Sequence, residues 1–142
     1  MFMKRKGSVF VDNLSRYRII MQYIMPTRTE SVVYFDTYVK AEKLLEYLES
    51  VKERPEKISL THTLLKAAVI ALYQHPHMNR YVSGYRIYQR EKAEISFSMK
   101  KEFATGSPVK VVKTTFEGNE TIAEIAEKTR ARVNVERSNK KT

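Results

Sequence analysis

The run over residues 58–75, "ISLTHTLLKAAVIALYQH", constrains the fold of this chain more than any other stretch. Leu64, Leu65, Ala67, Ala68, Val69, Ala71 and Leu72 leave little polar face, so the spacing predicts a helix that is mostly buried. Its alanines suit close packing against a sheet. Ser59 or Thr61 is placed to cap its start. Pro76 stops it, because a proline disfavours the helical conformation in the residue before it.

The remaining segments are read by the same rules. Residues 11–25, "VDNLSRYRIIMQYIM", predict a short amphipathic helix with Asp12 or Ser15 as its cap, Ile19, Ile20, Tyr23 and Ile24 at helical spacing, and Pro26 as its stop. Residues 31–39, "SVVYFDTYV", are β-branched and aromatic and predict a strand with both faces partly covered. Residues 40–53 return to helical period, with Leu44, Leu45, Leu48 and Val51 on one stripe, and Pro55 ends that segment. Three extended segments follow, at 85–90 after the Ser83–Gly84 turn signal, at 94–100 and at 108–116. The second alternates cleanly, with Ile95, Phe97 and Met99 on one face. The third slips at Val111–Val112, which marks a candidate bulge. Asn119 or Thr121 caps a last helix whose stripe is Ile122, Ile125, Ala126, Thr129 and Val133. The order describes an α+β domain over residues 1–142, with basic ends at 1–8 and 136–142 expected to fray.

Composition removes several classes of function. At 142 residues and 42% hydrophobic, the chain is long and apolar enough for a core. No run of eighteen apolar residues crosses a membrane, and the basic start, "MFMKRKGSVF", is followed by no long apolar segment, so no secretory signal is expected. Cysteine is absent, which excludes disulfides, thiolate metal sites and cysteine nucleophiles and fits a cytoplasmic protein. The net charge of +10 is concentrated towards the ends, at residues 4–6 and 128–141, and reads as a diffuse basic surface.

Candidate chemistry is sparse. In "HPHMNR", residues 75–80, Pro76 places His75 in an extended conformation, so that His75 and His77 point to opposite sides. The only other histidine, His62, lies more than three helical turns upstream, and no metal site is expected. His62 is a general-base candidate by chemistry but sits where a histidine at a helix start is the simpler reading. Tyr34, Tyr38, Tyr81, Tyr85 and Tyr88 interleave with basic residues, a pattern that can stack nucleic-acid bases, yet on strands tyrosines more often bridge core and rim. Nucleic-acid binding is the alternative reading, not the expected one.

Taken together, the segments resemble the catalytic domain of the acyltransferase component of 2-oxoacid dehydrogenase complexes and its relative chloramphenicol acetyltransferase. "RIIMQYIMPTRTES" resembles the opening helix, and "SVVYFDTYVKAEKLLEYLE" the strand that leads into the second helix. "LTHTLLKAAVIALYQHPHMNRYV" resembles the family helix of the form Lys-Ala-x-x-x-Ala-Leu followed by Pro-x-x-Asn, here Lys66–Ala67, Ala71–Leu72, Pro76 and Asn79. "RIYQREKAEISFSMKKEFATGSPVKVVK" and "ETIAEIAEKTRARVNVERS" resemble the strands and helix that come next.

The resemblance implies a chloramphenicol acetyltransferase-like mixed sheet with helices, and acyl transfer between coenzyme A and a lipoyl thiol or another small acceptor. Coenzyme A or acetyl-CoA is then a substrate, not a covalently bound cofactor. An arginine near the first helix helps hold the family's active site together, and Arg16 or Arg18 occupies the comparable region. The family's catalytic base is the histidine of a His-x-x-x-Asp-Gly motif, which suits a group that titrates near neutral pH. No histidine follows His77 here, and Asp12 and Asp36 are the only aspartates. The expectation is a partial domain without the C-terminal strands, with no catalytic residue of its own and no turnover alone. It either self-associates, as the family's trimers do, pairs with a chain that supplies the remaining half, or acts as a structural partner in an acyltransferase assembly.

Overall fold

The chain passes between two structural units three times. In the computed structural model, which describes residues 5–53, 55–100 and 106–138, the first unit runs to Ala41 and resumes over His75–Glu91, and the second takes Glu42–Gln74 and continues from Lys92. The secondary structure is α+β, as the segment order predicts.

The first unit holds strand β1 (Ser8–Phe10), helix α1 (Arg16–Ile24), 3-10 turns at Thr29–Ser31 and Pro76–Asn79, and strands β2 (Arg80–Val82) and β3 (Ile87–Arg90). The strands pair antiparallel in the order β1-β3-β2. Tyr88 is the buried residue at the middle of this sheet. Phe10 meets its ring edge-on at 5.9 Å and Tyr81 stacks on it at 5.5 Å, each from the directly opposite position on a neighbouring strand. Two reciprocal backbone bonds between Ser83 and Arg86 close the β2–β3 hairpin. Its central residues, Gly84 and Tyr85, have φ of +58° and +56°, the left-handed pair that a tight two-residue hairpin needs. Glycine adopts this freely. Tyr85 does so at a steric cost, offset by stacking its ring on Tyr23 at 4.9 Å.

Ser15, not Asp12, caps α1: its Oγ accepts the Arg18 N–H at 3.4 Å, and the helix ends just before Pro26. Three sequence expectations fail in this unit. Residues 31–39 form no strand; after the Thr29–Ser31 turn the segment runs unpaired, because β-propensity is realised only against a neighbouring strand. Pro76–Asn79 is a 3-10 turn, so His75 and His77 do not alternate along an extended stretch. The N-terminal basic end does not fray as far as expected, since Ser8 pairs with Arg90 in the sheet. Residues 1–4 and 139–142, the outer parts of the predicted frayed ends, lie outside the described residues, whereas Glu136–Ser138 belong to the last helix.

The second unit holds α2 (Glu42–Ser50), α3 (Leu60–Gln74), β4 (Ala93–Lys100), β5 (Val109–Phe116) and α4 (Ile122–Ser138). Strands β4 and β5 pair antiparallel without interruption from Ala93↔Phe116 to Lys100↔Val109. The expected bulge at Val111–Val112 is therefore absent. The two valines are successive positions on opposite faces, Val112 fully buried and Val111 67% exposed. All described pairings are antiparallel, in two small sheets and not in one mixed sheet.

The core of this unit joins Leu65 and Val69 of α3, Ala93 of β4, Phe116 of β5 and Ile125 of α4, with Leu72, Ile95 and Phe97 packed around them. On α3 only Leu65 and Val69 are buried, and Leu64 is 60% exposed. The apolar run thus covers one face of a helix that composition alone made mostly buried, because β4 and α4 pack against a single side of it. Val51, the end of the predicted stripe and one residue beyond α2, is also buried, while Leu45 on α2 is exposed.

Polar ties fix the turn between β5 and α4. The Tyr73 hydroxyl donates to the Phe116 carbonyl at 3.0 Å, and the Lys66 ammonium donates to the carbonyls of Gly118 and Glu120. Glu120 turns its carboxylate back on the Glu117 and Gly118 N–H groups, at 2.8 and 2.9 Å, and pairs with Lys128 at 3.1 Å. Burial opposes its charge. The Glu117 N–H, the Lys128 ammonium and the N–H groups of Glu120 and Gly118 outweigh burial and lower its pKa to about 2. Thr121 and Glu124 then form a reciprocal capping box at the start of α4.

Gly118 has φ of +95°, and a Cβ there would sit 2.8 Å from the Tyr73 ring. Gly118→Ala is expected to destabilise the chain, by about 1–3 kcal/mol from the backbone conformation alone; unchanged urea denaturation would contradict this. Glu120 has a depressed folded pKa, so its stabilisation is present above its ordinary carboxylate range and fades as pH falls towards about 2. In melting curves from pH 6 to pH 2, Glu120→Gln is expected to start less stable and to lose less on acidification than the wild type.

Candidate functional site

Both arginines singled out by the sequence stand at the start of α1, and the structure separates them. Arg18 lines a small pocket of about 250 Å³ together with Asn13, Leu14, Ser15, His77 and Arg80; Arg16, two residues earlier, does not line it. Three elements build the pocket. The capped first turn of α1 supplies Ser15 and Arg18, the 3-10 turn supplies His77, and the first residue of β2 supplies Arg80.

Gln89 on β3 holds the His77–Arg80 side in place. Its Oε1 accepts from Arg80 Nε at 2.9 Å and its Nε2 donates to the Pro76 carbonyl at 2.8 Å. Two arginines and a histidine therefore line one pocket, and no Asp or Glu is among its described lining residues. Such a set suits a carboxylate or another planar or tetrahedral oxyanion, which arginine can engage with paired N–H donors. Sequence reasoning weighed His77 only as a metal ligand and passed over Arg80. The signal was the basic residue closing "HPHMNR", but only the 3-10 turn brings it beside Arg18.

A second, wide-open cleft lies between β4, β5 and α4, with a volume of about 790 Å³. Its charges are matched within the fold: Lys92 pairs with Glu117, Lys113 with Glu94 at 2.8 Å and Lys128 with Glu120 at 3.1 Å. The tyrosines named from sequence do not form one platform. Tyr88 is 6% exposed, Arg90 covers the Tyr81 ring at 4.8 Å, and Tyr34 and Tyr38 are almost fully exposed. Among the described residues no three His, Asp or Glu side chains are gathered to hold a metal ion.

His62 is a capping residue at the start of α3. The Ser59 N–H donates to its Nδ1 at 3.1 Å, and the Ser59 carbonyl accepts from the N–H groups of His62 and Thr63. Ser59, not Thr61, thus opens the helix, with histidine in the place that glutamate takes in a capping box. An Nδ1 that accepts requires a neutral ring. Burial, then the nearby Arg130 guanidinium, lower the pKa of His62. The cap is intact above the ordinary histidine range, near about pH 6.5, and weakens as pH falls through that range towards the lower folded value. Between pH 7.5 and 5 the wild type is expected to lose more thermal stability than His62→Gln, which keeps an acceptor and does not titrate. Equal slopes would remove His62 from this role.

Comparison with curated proteins finds no match to this chain. The family model described as "2-oxoacid dehydrogenases acyltransferase (catalytic domain)" matches residues 12–142, from just before α1 to the last residue. The matched span contains the Arg18 pocket, the capped helix α3 and the β4–β5–α4 core in one continuous order. The chain belongs to the family of 2-oxoacid dehydrogenase acyltransferase catalytic domains.

Proposed function

We propose that the chain serves coenzyme A-dependent acyl transfer, between coenzyme A and a lipoyl thiol or another small acceptor, as part of a chloramphenicol acetyltransferase-like fold. The observation that carries this reading is the family match over residues 12–142. Coenzyme A enters as a substrate bound reversibly, and the cysteine-free composition suits a reducing compartment such as the cytoplasm.

The reaction needs a base to take the proton from the attacking thiol or hydroxyl. The histidines in these 142 residues are His62, His75 and His77, and none stands in a His-x-x-x-Asp-Gly sequence. His62 already spends Nδ1 on the cap of α3. The 142 residues alone therefore do not turn over. Arg18 acts as a positioning residue: with Arg80, and beside His77, it presents the positive charge that anchors a carboxylate in the active site.

Two measurements test the reading on the purified chain. Thiol release from acetyl-CoA with dihydrolipoamide or chloramphenicol is expected to stay at the uncatalysed rate; robust turnover would overturn the claim of inactivity. Calorimetric titration with coenzyme A is expected to show saturable binding. No heat at millimolar ligand, with steeply salt-dependent binding to single-stranded nucleic acid instead, would replace acyl transfer by a nucleic-acid-binding role.

A further inference from the structure

The small pocket of the first unit carries more positive charge than a single carboxylate matches. Arg18, His77 and Arg80 line it with Asn13, Leu14 and Ser15, all from that one unit, and no Asp or Glu is among its described lining residues. Among the described residues, the Arg18 guanidinium and the His77 ring make no hydrogen bond or ion pair. Arg80 gives only its Nε, to Gln89 Oε1 at 2.9 Å, so the side chain is anchored while its two terminal nitrogens keep their donors. The wide cleft of the second unit differs in this respect, since Lys92, Lys113 and Lys128 are each matched there by a glutamate.

We propose that this pocket binds a phosphate dianion. Charge, donor placement and size point to that ligand. A guanidinium is always charged in proteins, so a dianion matches the two arginines where a carboxylate matches one. The basic side chains come from three elements, α1, the 3-10 turn and β2. A tetrahedral group has an oxygen for each of them, whereas the two oxygens of a carboxylate are taken up by one guanidinium fork. The start of α1 adds the positive end of its dipole, which favours an anion beside Ser15. A volume of about 250 Å³ falls below the range of about 300–1,000 Å³ that drug-sized ligands need, so the pocket fits a phosphate group and not the whole of coenzyme A. One consequence rests on the function proposed above: phosphate held by Arg18 competes with the carboxylate that this arginine anchors in the active site.

Calorimetric titration of the full chain with inorganic phosphate, at fixed ionic strength, tests the proposal. One saturable site is expected. Arg18→Gln and Arg80→Gln are each expected to weaken binding about tenfold or more, because each removes charge-assisted hydrogen bonds. Arg16→Gln removes the same charge outside the pocket and is expected to change the affinity less than about twofold, since salt screens a charge that makes no contact. The Arg18 side chain is exposed and holds no partner, so Arg18→Gln keeps the circular dichroism of the wild type. Acetate is expected to bind far more weakly than phosphate. No saturable binding, equal losses for Arg16→Gln and Arg18→Gln, or acetate as tight as phosphate would each overturn the proposal. Competition with phosphate by coenzyme A but not by dephospho-coenzyme A would assign the site to the coenzyme's own phosphate monoester; no competition by either assigns it to free phosphate. A chain that binds coenzyme A but not phosphate loses this site and keeps the acyl-transfer reading, and the reverse result keeps the site and removes that reading.

Discussion

Phe116 has no exposed surface, and the second unit is organised around it. Leu65 and Val69 reach its cluster from α3, Ala93 from the opposite position on β4, and Ile125 from α4. The Lys128 ammonium lies 5.5 Å over its ring, and its carbonyl receives the Tyr73 hydroxyl. Burying one phenylalanine contributes about 1.5–3 kcal/mol, but its larger effect is geometric. A single close-packed contact sets the position of two helices relative to one hairpin. The hydrogen-bonded turn that follows depends on that placement, because Lys66 and Tyr73 reach its carbonyls only with α3 seated on the hairpin.

The first unit is held in a different way. Its sheet is short, and Tyr88 is its one buried large residue. Aromatic stacking and the side chain of Gln89 take the place of a broad apolar core. This arrangement leaves Arg18, His77 and Arg80 around a pocket with no Asp or Glu among its described lining residues. Like charges that line one pocket are tolerated where solvent screens them. A charge-poor aromatic segment beside a basic composition has the complementary property, since it lacks hydrogen bonds instead of counter-ions. Both features are unsatisfied valences of the same chain, one electrostatic and one in the backbone.

Much of this was legible in the residues. The ends of α1 and α3 follow from Ser15, Ser59, Pro26 and Pro76, and the stripe of α4 is buried where Ile125, Ala126 and Thr129 were read as its apolar face. Strands β1 and β2 were missed because three residues are too few to show alternation, and β1 begins at a glycine-serine pair that reads as loop. The strand over 31–39 was overread because composition reports what a segment can do beside a neighbour, not whether the neighbour is there. Burial of α3 was overread for the same reason. Within the pocket, Arg18 was named from resemblance, while Arg80 was invisible because its relevance arises from a 3-10 turn that sequence pattern does not specify.

The sequence by itself determined the α+β class, the family, and where most helices begin and stop, since these rest on local spacing, caps and prolines. Only the tertiary structure decided which apolar faces are covered, which of two neighbouring arginines meets a pocket, and that "HPHMNR" turns as a 3-10 helix. Those outcomes depend on which segments, far apart along the chain, come into contact. Local propensity carries no information about the partner, and burial and charge pairing have no energy until the partner is in place.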